Sequence, residues 1–189
     1  MKNQLKLSLI FSLLIVSTTF TFGQATISPA KGFDHDIGNM VSMLENLRAR
    51  IIRSVEGLNQ EQTDFLLDEK ANRIGAMIMH LAATEVYYQA YTFEDREMNE
   101  EEKAKWGVAL SLGDEAREEF TGKPISNYLD EWTKVRVKTQ ELLKEKDDKW
   151  FSKKTKGGQM NNQFAWFHVM EHQANHMGQI NMLRSRLPK

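Results

Sequence analysis

Apolar residues recur at steps of three and four along most of this chain, and four stretches do so for long enough to predict helices. The first runs from about Asp36 to Gly57, where Ile37, Met40, Val41, Leu44, Leu47, Ile51 and Val55 form one stripe. After a polar link around Asn59 to Lys70, the second starts near Asn72, a residue type that caps helix N-termini, and runs to about Phe93. Its stripe is Ile74, Met77, Ile78, Leu81, Glu85 and Tyr88, so a carboxylate stands where an apolar side chain is expected. The third, from about Ser126 to Lys146, buries Leu129, Trp132, Val135, Leu142 and Leu143. The fourth begins after Asn161 or Asn162 and continues to Leu187, where Pro188 ends it.

The connections constrain how these helices assemble. About thirty residues, Asp95 to Pro124, separate the second helix from the third, too many for a tight antiparallel turn. A crossover of that length lets the two run parallel, which predicts a four-helix bundle with one overhand connection. Within it, Asn99 and Glu102 have the spacing of a capping box, predicting a short helix through Trp106 that Gly113 and Gly122 then break. The link from Asp147 to Met160 carries Trp150, Phe151 and the Gly157-Gly158 pair. It is read either as a pocket wall or as an anchored surface loop.

Composition agrees with an all-α fold: three prolines in 189 residues, ten methionines and few runs of β-branched residues. Residues 1–23 read as a secretory signal, with Lys2 and Lys6 before the apolar run Leu7 to Val16 and a small-residue exit at Gly23. The expected mature chain, 24–189, is one domain that is exported to a periplasm or the exterior. That apolar run is too short for a comfortable membrane span, so no stable anchor is expected after cleavage. Loss of the two signal lysines leaves 23 Lys and Arg against 26 Asp and Glu, with both signs interspersed, which argues against nucleic acid as a partner. The sequence contains no cysteine, so disulfides, thiolate nucleophiles and lipid on a cysteine are excluded.

The candidate chemistry is histidine. His168, His172 and His176 lie at steps of four near the end of the fourth helix, so their imidazoles form a row on one face. An i, i+4 pair brings two ring nitrogens within reach of one ion, and a third ligand must come from another element. His80, on the edge of the second helix's stripe, is the natural candidate. A single histidine there is ordinarily a hydrogen-bonded core residue, but imidazoles crowded together without a metal would leave polar nitrogens needing partners. His35, in Asp34-His35-Asp36, reads as a solvated loop residue. His168-Val169-Met170-Glu171-His172 also matches the H-x-x-E-H pattern of inverted zinc peptidases, with Glu171 as base. Those peptidases need a further acidic ligand downstream, and residues 173–189 contain no Asp or Glu. The pair His172 and His176 is therefore preferred, with His168 orienting a substrate or packing.

His172-x-x-x-His176-Met177-Gly178-Gln179-Ile180, followed by Leu183-Arg184 and Leu187-Pro188, with His80-Leu81 and Glu85 on the second helix, resembles the DinB/YfiT-like superfamily. The resemblance spans essentially the whole mature chain in helix order and long crossover. It implies an up-down-down-up four-helix bundle holding one divalent metal, zinc or nickel, on His80, His172 and His176. It also brings in relatives that use low-molecular-weight thiols as transferases or isomerases. A metal on three histidines keeps open positions, and can activate a thiol or lower the pKa of a water. The function expected is thus a metal-dependent enzyme acting on a small molecule, either a thiol-dependent transferase or a hydrolase. Two alternatives are a non-catalytic metal-binding protein and a structural bundle, homodimeric through a Met-rich face.

Around the ligands, Glu85 is the one acid on an apolar stripe, and three roles stay open for it: catalytic base, support for a metal-bound imidazole, or ion pair with Arg73 or another base across the bundle. Thr84, Asn175 and Gln179 are positioned to touch a bound water, and Tyr87, Tyr88 and Tyr91 to pack with hydroxyls toward the bundle end. A substrate pocket is expected among Trp150, Phe151 and Tyr87. Ligation needs neutral imidazoles, so metal loss is expected below about pH 6, near the free histidine pKa.

Overall fold

The computed structural model describes residues 26–188; the expected signal segment 1–23 and the expected start at Gln24 lie outside the described residues. Eight helices follow in order: α1 (His35–Val55), α2 (Gln60–Thr63), α3 (Ile74–Phe93), α4 (Glu100–Ser111), α5 (Gly113–Glu119), α6 (Ile125–Lys144), α7 (Asp148–Ser152) and α8 (Asn162–Arg184). The fold is all-helical, and the only β-type pairing among the described residues is an isolated bridge between Lys154 and Asn161. No helix there is long and apolar enough to cross a membrane.

The four long helices are those the apolar periodicity predicts. In α1, Ile37, Met40, Val41, Leu44, Ile51 and Val55 are buried as expected, while Leu47 is half-buried. Burying those six contributes roughly 10–20 kcal/mol gross, an upper bound because the unfolded chain already hides part of this surface. Helix α1 packs on α8 and α6, and α3 packs on α6, α8 and α4.

Helix α3 corrects the expectation of a one-sided stripe. With three neighbours, it is buried on nearly its whole circumference, polar residues His80, Thr84, Glu85, Gln89 and Thr92 included. Small residues allow this. A side chain at Gly75 would place Cβ 2.5 Å from the ring of Tyr128 on α6, so glycine sets the closest approach of these two helices. The start of α3 also differs from expectation: the N-cap is Arg73, not Asn72. Arg73 instead ties the preceding link down, its Nε donating to the Asp64 carbonyl at 2.8 Å and its Nη1 to the Arg117 carbonyl.

The crossover holds two helices rather than one short one. The expected capping box is formed, Asn99 Oδ1 accepting from Glu102 N at 2.8 Å and Glu102 Oε2 from Asn99 N at 2.9 Å. Helix α4 continues past Trp106 to Ser111 because Trp106 and Ala109 are buried against α3. Leu112 (φ 57°) and Gly113 (φ 82°) then turn the chain into α5, so Gly113 ends one helix and begins the next. The α6–α8 link likewise contains α7, capped by Asp147 accepting from Trp150 N. Phe151 is buried and Trp150 stacks on Phe93 with centroids 5.0 Å apart. Both aromatics belong to the core packed between α1 and α8.

Candidate metal centre

Asn161 starts α8 by accepting a hydrogen bond from Phe164 N at 2.8 Å, which sets the phase of the helix that carries the histidine row. His172 and His176 lie one turn apart and face α3, where His80 points back between them. Ring centroids are 4.8 Å apart for His80–His172, 4.8 Å for His80–His176 and 4.5 Å for His172–His176. One nitrogen from each ring falls within 4.8 Å of the other two, an arrangement that can hold a metal ion. His80 and His176 are buried and His172 is half-buried at the rim.

Hydrogen bonding decides which nitrogens are free. The Ala109 carbonyl, at the end of α4, is 2.9 Å from His80 Nδ1 and can only accept, so Nδ1 carries the proton and Nε2 presents a lone pair. His172 Nε2 lies 2.7 Å from His80 Nε2, room for one proton at most. His176 Nδ1 is buried without a hydrogen-bond partner among the described residues. A group left so costs about 1–3 kcal/mol, and a bound ion is one way to recover it.

The electrostatics favour the ligating form. Burial lowers the pKa of His80 against the opposing pull of the Ala109 and Leu110 backbone. Burial first, then the neighbouring rings of His176, His80 and His168, brings His172 down to about 4. Burial and His80 bring His176 to about 4, with Gln179 on the next turn opposing. At neutral pH all three rings are uncharged, as a cation requires of its ligands. An orphaned nitrogen, converging ring nitrogens and neutral rings together fit a divalent ion.

A family model described as mycothiol-S-transferase matches residues 39–188. The chain belongs to the mycothiol-S-transferase family. This is a DinB/YfiT-like family, as His80 and the His172-to-Ile180 segment suggest. No curated protein matches the chain.

The remaining residues singled out in the sequence are distributed as follows. His168 stays outside the cluster, half-exposed, with Nδ1 3.5 Å from Glu171 and its ring against Tyr88. His35 is exposed beside Asp36, at the first position of α1 and not in a loop. Thr84 turns its hydroxyl back to the His80 carbonyl at 2.8 Å, and Asn175 is exposed. Tyr87 and Tyr91 stack on each other, with Tyr91 reaching Thr155 at 3.4 Å.

Glu85 makes no hydrogen bond to any of the three histidines. Its carboxylate, 1 % exposed, accepts from Trp132 Nε1 at 2.8 Å, Thr139 Oγ1 at 2.9 Å, and Arg136 Nε and Nη2 at 2.9 and 2.6 Å. Of the three roles open to it, the geometry realises the ion pair, and the partner is Arg136 rather than Arg73. Burial by itself would depress the Arg136 pKa, but Glu85 and then Glu45 outweigh it and hold the guanidinium charged. Arg136, Thr139 and Gln173 were not legible as a group from the sequence. Their signal is the one that marks Glu85: each is a polar residue at a stripe position, Arg136 and Thr139 between Trp132 and Leu143, Gln173 between Val169 and His176.

Proposed function

We propose that this protein is a divalent-metal-dependent enzyme of the thiol-transferase type, with the ion held by His80, His172 and His176. The observation that carries the reading is the convergence of three neutral imidazoles from two helices in a chain of the mycothiol-S-transferase family. A divalent ion there supplies Lewis-acid chemistry, and the softer borderline metals, zinc and nickel, suit imidazole ligands and a sulfur substrate. The chain's own contribution is to keep three rings unprotonated and aimed at one point. With no cysteine in the chain, the thiol is a small-molecule substrate. The reaction class is formation of a sulfur–carbon bond to an electrophile, with release of the thiol proton and of the leaving group.

We read the four long helices as an up-down-down-up bundle. Arg48–Thr133 with Glu45–Arg136 supports antiparallel α1 and α6, and Gly75–Tyr128 with Glu85–Arg136 supports parallel α3 and α6. We also propose export through the 1–23 segment, a small-molecule partner with no nucleic acid, and a homodimer. Mass measurement of the secreted chain, looking for a start at Gln24, and sedimentation of the purified protein test the first and last of these.

The test of function is elemental analysis of the parent beside His80→Ala and His172→Ala after dialysis against a weak chelator. About one divalent ion per chain in the parent and none in either variant is expected. The loaded parent should then consume a low-molecular-weight thiol in the presence of an alkylating electrophile, and the variants should not. A parent that takes up no metal even on reconstitution sinks the proposal; uptake without turnover reduces it to metal binding.

A further inference from the structure

Glu85 stands apart from the imidazoles, yet it begins a chain of hydrogen bonds that ends between two of them. Beyond its bonds to Glu85, Arg136 Nη1 donates to Glu45 Oε1 on α1 at 2.8 Å, and Nη2 to Gln173 Oε1 on α8 at 3.1 Å. Gln173 Nε2 in turn donates to the Leu44 carbonyl of α1 at 3.2 Å. One guanidinium, 3 % exposed, therefore ties α6 to α1, α3 and α8 at a single level of the fold. Gln173 is 1 % exposed, follows His172 directly and precedes His176 by three.

That placement governs how α8 is turned. Successive residues on a helix point about 100° apart, so a side chain clamped at position 173 fixes where 172 and 176 point. Apolar burial would fix it less firmly. The inward residues of α8 after Trp166 are Val169, Gln173, His176, Ile180 and Leu183, so the middle of the stripe is polar and gains little from hydrophobic packing. A polar contact in this position has directionality that packing lacks, the property by which buried polar groups specify register in helical assemblies.

We propose that the Glu85–Arg136–Gln173 chain is the positioning device of the metal centre: it locks the rotation of α8 so that His172 and His176 face His80. Gln173 is the positioning residue, acting through the helix and touching no metal. Glu85 and Thr139 orient Arg136, and Arg136 meets Gln173. This rests on the metal-centre reading above.

Arg136 and Glu85 are poor first targets, since removing either leaves a buried charge alone. Gln173→Met, close in shape and lacking both hydrogen bonds, is the informative variant. Gln173→Glu keeps an acceptor for Arg136, and Leu143→Ala lowers stability in the core away from the histidines. Zinc affinity is measured by competition with a chromophoric chelator, and the histidine ring resonances are recorded by NMR in the metal-free proteins. Gln173→Met should bind zinc about tenfold more weakly, near the lower end of what loss of ligand-supporting contacts costs. It should also shift the ring resonances of His172 and His176. Gln173→Glu should fall between it and the parent, and Leu143→Ala should melt lower with affinity unchanged. Parent-like affinity in Gln173→Met, or affinity that falls with stability in Leu143→Ala, overturns the positioning role while leaving the metal centre standing. Should Gln173→Met not fold, Gln173→Leu, which also lacks both hydrogen bonds, takes its place, and parent-like affinity there has the same force. If the parent binds no zinc the metal reading fails, and unshifted ring resonances in the metal-free variant still overturn the rotational lock.

Discussion

Two polar clusters lie inside one helical fold, on some of the same helices, and they are built on opposite rules. Around Glu85 each carboxylate oxygen accepts two hydrogen bonds, and the guanidinium facing it has four acceptor atoms on three residues. Around His80, by contrast, the facing Nε2 atoms of His80 and His172 share room for a single proton, and His176 Nδ1 has no partner among the described residues. A buried polar group that is satisfied holds a structure together; one that is unsatisfied costs free energy until something binds it. The satisfied cluster is accordingly read as scaffold and the unsatisfied one as the site. Their members on α3 lie five positions apart, His80 toward α8 and Glu85 toward α6.

If that contrast is right, the largest effect belongs to the satisfied cluster. Glu85→Ala should destabilise the metal-free protein by about 3–5 kcal/mol, because it strands a buried guanidinium. Chemical denaturation measures this, and a loss under 1 kcal/mol would mean the pair is not a unit. At the imidazoles the effects should be reversed. His172→Ala should abolish metal uptake while changing metal-free stability by less than about 1 kcal/mol, since a half-buried ring contributes little packing. A His172 variant that unfolds like the Glu85 variant erases the distinction between scaffold and site.

Acid sharpens the same comparison. His172 and His176 have folded-state values of about 4 against about 6.5 for a free histidine. Above pH 6.5 both rings are neutral folded and unfolded, and stability does not depend on them. Between 6.5 and 4 the unfolded chain takes up protons first, so metal-free stability should fall as pH falls, levelling below 4. Denaturation curves across that window should show the slope in the parent and a shallower one in His172→Ala. Protons also compete less well with metal for such rings. Ion release, expected near pH 6 for free imidazoles, should move clearly lower, and dialysis at stepped pH followed by metal analysis checks it. The smallest effect is expected at His168. Half-exposed and outside the cluster, it should leave metal content within error when changed to Ala, and a marked loss would add it to the ligand set.

Much of this molecule was legible in its sequence wherever the information is local. The stripe of α1 apart from Leu47, the Asn99–Glu102 box and the start of the fourth helix at Asn161 or Asn162 depend on residues within a few positions of one another, and each forms as read. The pairing of His172 with His176 is local in the same sense, because four residues on any helix return to the same face. Where reading failed, contacts from distant elements intervened. Asn72 has the better capping side chain, but Arg73 takes the N-cap while its guanidinium is drawn to Asp64 and Arg117. Helix α4 outruns Trp106 because α3 offers Ala109 a place to bury. Trp150 and Phe151 became core because Phe93 and α1 lie beneath them.

The sequence by itself therefore determined the four long helices, the i, i+4 spacing of His172 and His176 and the presence of one anomalous buried acid. Only the tertiary structure decided what those residues meet: that His80 faces His172 and His176, that Ala109 fixes its tautomer, and that Glu85 finds Arg136. Periodicity shows which face of a helix turns inward but not which neighbour waits there. A side chain's chemistry is set by that neighbour, through the hydrogen bonds and field it supplies at distances of a few ångströms.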